Sequence, residues 1–69
     1  MTTSKENIEW VAYVIENYRR IKGYSGKEVA DIFDKYNLYD FVQQQYDWLH
    51  VEGPEANAKV IDEFIKQTQ

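Results

Sequence analysis

Apolar residues recur along this chain at intervals of three and four, and no stretch alternates in the manner of a strand. In the first third, Ile8, Val11, Ala12, Ile15 and Tyr18 keep the helical period. Trp10, Val14 and Ile21 widen that stripe past half the circumference. Glu9, Glu16, Asn17 and Arg20 form the wet face, with Glu16 and Arg20 spaced for an i,i+4 pair. Thr3 and Glu6 have the spacing of a capping box. Arg19, Arg20 and Lys22 complement the dipole at the other end, and Gly23 supplies a left-handed stop. These signals predict a helix over about 3–22. A stripe this wide predicts contact with several neighbours at once, or with another chain through Trp10 and Tyr13.

The next pattern opens on Tyr24-Ser25-Gly26-Lys27-Glu28-Val29. Ser25 and Glu28 stand as a capping box, and Tyr24 and Val29 hold the two positions of a hydrophobic staple. Val29, Ile32, Phe33 and Tyr36 then keep the helical period over about 25–36, with Asp31 and Lys35 paired on the outer face. Asn37 tolerates the left-handed conformation and is placed to cap the next helix. That third helix, over about 38–49, lines Leu38, Phe41, Val42, Gln45, Tyr46 and Leu49 on one face, flanked by Tyr39 and Trp48. Gln45 falls inside that apolar arc, which predicts burial with hydrogen-bond partners or else a place where a partner docks. Gly53-Pro54 breaks the pattern, and Pro54 and Glu55 suit the first turn of a fourth helix over about 54–66. Its face is Asn57, Val60, Ile61, Phe64 and Ile65, with Glu55–Lys59 and Asp62–Lys66 paired outside. The expectation is one all-α domain over 1–69, a small bundle of four helices without repeat or linker.

Composition narrows the function classes. A chain of 69 residues buries a modest share of its surface and has marginal stability. Cysteine is absent, which removes disulfides, a thiol nucleophile and thiolate zinc ligands. No segment approaches the roughly 18 consecutive apolar residues of a membrane span, and the first residues lack a signal-peptide layout. A cytoplasmic protein beginning at Met1 is expected. The net charge of −4 opposes nucleic-acid binding unless the cations are segregated. Arg19, Arg20, Lys22 and Lys27 cluster near the first turn, yet the dipole accounts for the first three, and the helix after Ser25 is acidic. Two Trp, six Tyr and three Phe are more rings than so few residues readily bury, so some should face a partner.

Candidate chemistry is sparse. Asp47 and His50, at i,i+3, are the one arrangement resembling a catalytic pair. Such a pair needs a nucleophile or metal beside it, and the hydroxyls of Thr2, Thr3, Ser4, Ser25 and Thr68 stand at caps or tails. His50 at a helix end is better explained as a cap. One histidine and scattered carboxylates (Asp31, Asp34, Asp62, Glu63) make no metal ligand set, and no glycine-rich phosphate loop occurs. No catalytic residue, cofactor or metal is therefore expected.

The chain also resembles a family of short bacterial proteins known as a domain of unknown function. The resemblance rests on Ser25-Gly26-Lys27-Glu28, on Tyr46-Asp47-x-Leu49-His50-x-x-Gly53, and on Ile61-Asp62-Glu63-Phe64-Ile65. It spans roughly Ile8 to Lys66, and Pro54 departs from it by standing after the glycine where a polar residue is expected. The resemblance implies a helical fold without an established activity. It also implies a neighbourhood of ADP-ribosyltransferase-like proteins, the arrangement of a toxin and its small antitoxin-like partner.

The resulting expectation is a non-enzymatic module that binds another protein, or a second copy of itself, through Trp10, Tyr13, Tyr39 and Trp48. Homodimerisation for stability alone is the alternative, and an enzyme or ligand site around Asp47 and His50 the remote one. Neither nucleic acid nor a membrane is expected as a partner.

Overall fold

The computed structural model describes residues 5–68, with side chains from Ile8 onward, and every regular element among them is helical. The elements are α1 (Lys5–Lys22), α2 (Gly26–Lys35), α3 (Leu38–Gln44), α4 (Tyr46–Leu49) and α5 (Pro54–Thr68). The expected Thr3–Glu6 capping box lies outside the described residues.

Packing is decided by how α1 is rotated. Its core line is Trp10, Val14 and Tyr18, with Val11 and Ile15 half-buried beside it. Ile8 is 73% exposed and Ala12 and Ile21 are also exposed, so the buried face sits to one side of the broad stripe read from the sequence. Two polar atoms carried by the core line lock that rotation. The Trp10 indole N–H donates to the Val42 carbonyl at 2.8 Å, and the Tyr18 hydroxyl donates to Asp62 Oδ1 at 2.7 Å. A buried indole or phenol needs such a partner, so each acts as a register pin. At the end of α1, Gly23 takes φ 74° and the Tyr24 N–H reaches the Arg19 carbonyl at 3.0 Å. That six-to-one bond is the Schellman closure.

The capping box of α2 forms in both directions. The Glu28 N–H donates to Ser25 Oγ at 3.1 Å, and the Ser25 N–H donates to Glu28 Oε1 at 2.7 Å. Val29 and Phe33 point inward and are completely buried. Asn37 adopts φ 55° and turns the chain into α3. Its side chain reaches Asp40 Oδ2 at 3.3 Å and makes no capping bond to the backbone, so the turn uses its backbone tolerance alone.

The third helix read from the sequence is two helices. Gln45 leaves helical geometry (φ −96°, ψ 16°), and its carbonyl accepts the Trp48 and Leu49 N–H groups at 3.1 and 2.8 Å. Its side chain is half-buried and forms no hydrogen bond among the described residues, contrary to the expectation of a hydrogen-bonded buried glutamine. Val42 lies in the last turn of α3, where carbonyls lack intrahelical donors, and the Trp10 indole serves it across 32 residues. The bend still delivers Leu38, Val42 and Leu49 to one core with Ile61 of α5. α5 lies along α1 and runs to Thr68, two residues past the expected end. Asn57 is buried within it, and its side-chain oxygen has no hydrogen-bond partner among the described residues.

Candidate functional site

The four anchor residues divide by burial. Trp10 is 9% exposed, stacked on Tyr13 (5.7 Å between ring centres) and edge-on to Tyr46 (5.1 Å). It is a core residue, which corrects its expected place on the surface. Tyr39 is half-buried against Phe33 at 5.4 Å and presents little free face. Tyr13 and Trp48 remain, 48% and 56% exposed. They do not share a surface patch through any ring contact. Tyr13 continues a ladder through Trp10 and Tyr46 to His50, whereas Trp48 leaves α4 in another direction.

Trp48 stands at the rim of a groove between α3, α4 and α5. Phe41, Val60 and Phe64 line it with Trp48, and Lys59, Glu63 and Gln67 edge it. Phe41 and Phe64 stack at 4.1 Å with ring planes 20° apart. The groove holds about 350 Å³, and a smaller hollow of about 170 Å³ containing Asp40 and Gln44 adjoins that same stack. The larger volume is at the low end of ligand pockets, roughly 300–1,000 Å³, and suits one or two apolar side chains. The α5 face was legible from Val60 and Phe64. That it pairs with Phe41 and leaves Trp48 overhanging depends on the bend at Gln45, for which the sequence carries no glycine or proline signal.

His50 is the C-cap of α4. Its Nδ1 lies 2.7 Å from the Tyr46 carbonyl, a distance that makes Nδ1 the protonated nitrogen and donor, and its ring lies flat on Tyr46 at 4.4 Å. No hydrogen bond or ion pair joins it to Asp47. The two residues sit on an exposed turn and line neither hollow. Among the described residues no group of three His, Cys, Asp or Glu side chains is placed to hold a metal ion. No described helix is long and apolar enough to cross a membrane.

The charged groups pair differently from their sequence spacing. Glu16 bonds Arg19 at 2.7 Å instead of Arg20, and this bond holds the Glu16 carboxyl below its ordinary range. Asp31 pairs with Lys27 at 3.2 Å instead of Lys35, whose ammonium lies over the Tyr36 ring. Asp62 does not pair with Lys66. It accepts from Tyr18 through one oxygen and from Lys22 at 2.8 Å through the other, tying the end of α1 to α5. Burial above all, and then Asp62, push the Tyr18 hydroxyl well above the usual phenol range, while the bond to Asp62 raises Lys22. This cluster was missed because its members are 40 and 44 residues apart. The one available signal was a tyrosine inside the apolar stripe, whose hydroxyl required a partner. Three of the four cations near the first turn are thus engaged by carboxylates.

No curated protein and no solved structure matches the chain. A family model does, over residues 9–68, described as a protein of unknown function (DUF3791). That match takes in all of α2 to α5 and nearly all of α1, so the chain belongs to the DUF3791 family.

Proposed function

We propose that the chain is a non-enzymatic interaction module that binds another protein by taking an apolar side chain into the Trp48 groove. The observation that carries this is a tryptophan 56% exposed on the rim of a groove floored by stacked phenylalanines. Apolar surface of this kind gains from being covered, and binding energy concentrates in such rings. The Tyr13 ladder is secondary, since Trp10 within it is committed to the core. The sequence resemblance suggests the partner to try first, an ADP-ribosyltransferase-like toxin, for which this chain would be the small antitoxin-like subunit. A cysteine-free chain suits work in a reducing cytoplasm.

The test is retrieval of bound protein from the native host with tagged wild-type and Trp48→Ala chains, identification by mass spectrometry, and titration of the purified pair. Trp48→Ala should weaken that complex by about 2 kcal/mol or more with helix content unchanged. Equal affinity for the two chains would remove the groove from the interface.

A further inference from the structure

We propose that the groove takes a second copy of this chain, with the two α5 helices antiparallel across a two-fold axis. The inference rests on the groove being a docking surface and names what occupies it in the chain by itself, where a foreign partner would have to displace the second copy. Its basis is the order of residues on one helix. Lys59 and Glu63 are exposed, opposite in sign and one turn apart on α5, and the apolar Val60 and Phe64 lie beside them in the same groove. A two-fold axis crossing α5 between these charges reverses the second helix. It sets Lys59 of each copy opposite Glu63 of the other, so both ion pairs form at once, with Val60 of each copy between them and Phe64 just beyond. A foreign partner must supply that sequence of signs; a second copy supplies it automatically.

The charge balance points the same way. The chain carries −4 overall, yet the groove lining has one cation and one anion and repels nothing locally. A strongly acidic or basic partner gains little there, whereas an amphipathic helix of mixed charge fits, and α5 is such a helix. Competition within the chain is weak: Glu63 meets Lys66 only at 3.9 Å in solvent, and Lys59 forms no ion pair among the described residues.

The experiment is sedimentation equilibrium of the full chain over micromolar to millimolar concentrations, with circular dichroism as the check on folding. Wild type should dimerise, and Trp48→Ala should weaken the dimer. Lys59→Glu and Glu63→Lys should each weaken self-association by about tenfold or more, because each puts like charges across the axis. Mixed together, these two variants should associate again, since each carries the sign the other lacks. The double exchange on one chain should restore the homodimer. A wild type that stays monomeric overturns the second-copy assignment, as does a mixture no tighter than its components. Loss of a foreign complex by Trp48→Ala in a monomeric wild type would leave the docking surface standing and identify a different occupant. A wild-type dimer indifferent to Trp48→Ala and to both charge changes would place the contact elsewhere.

Discussion

Tyr18 brings a hydroxyl into a core built from apolar side chains, and the Asp62 carboxylate makes that tolerable at 2.7 Å. Hydrogen bonds to charged groups contribute about 1.5–3 kcal/mol, so Tyr18→Phe should lower stability by an amount in that range, read from urea midpoints. The fold favours the protonated phenol and so moves its ionisation to higher pH. That contribution is therefore complete below the ordinary tyrosine value of about 10 and is lost as pH climbs past it toward the folded value. Wild type should weaken between neutral pH and about pH 11 more steeply than Tyr18→Phe. Equal slopes would show that the phenol ionises alike in both states. Trp10 makes the parallel case. Trp10→Phe keeps a ring but strips the Val42 carbonyl of its donor, and should cost about 1–3 kcal/mol. The sequence showed both residues as members of an apolar stripe, which is where they are. It could not show their bonds, because each partner lies 32 or 44 residues away and is chosen by how the helices meet.

The helix ends were the most legible elements, because their chemistry is local. Ser25 and Glu28 close their box as spaced, and Gly23 takes the positive φ its position calls for. Ser25→Ala should cost about 1 kcal/mol, which for a domain of this size moves Tm down by about 4–8 °C. With Glu28→Ala in the background the further loss should be smaller, since the two caps act as a unit. A full additive loss in the thermal melts would separate them. The interruption at Gln45 was illegible for the opposite reason. The 3.6-residue pattern runs through it from Leu38 to Leu49, and no breaker residue marks it. What replaces the missing helical bond is tertiary, the Trp10 indole on the Val42 carbonyl. Ion pairing is equally hard to read from spacing: i,i+3 and i,i+4 are geometrically equivalent offers, and the one at Asp62 loses to a cation and a hydroxyl donor from another helix.

On the scale of the whole molecule, α1 packs against α2, α3 and α5, and the groove lies apart from it, between α5 and the bent α3–α4 segment. Fold and groove are therefore separable. Trp48→Ala should leave thermal stability within about 1 kcal/mol of wild type while altering association, because the ring is more than half in solvent. Comparable losses in both would mean that Trp48 supports the bundle. The sequence indicated that rings exceeded the room inside, and it named Trp48 among those outside. It named Trp10 too, because a wide stripe does not say which of its edges turns inward. The clasp between Tyr18, Lys22 and Asp62 also bears on how the protein is made. α1 emerges from the ribosome before α5 and cannot satisfy its tyrosine until the chain through Asp62 has emerged behind it. Until then Tyr18 lacks its acceptor, and the face of α1 that packs against α5 lacks its cover. The bundle should thus close only once α5 has followed α1 out, and until then the nascent chain carries an apolar face uncovered, open to chaperones and to its neighbours.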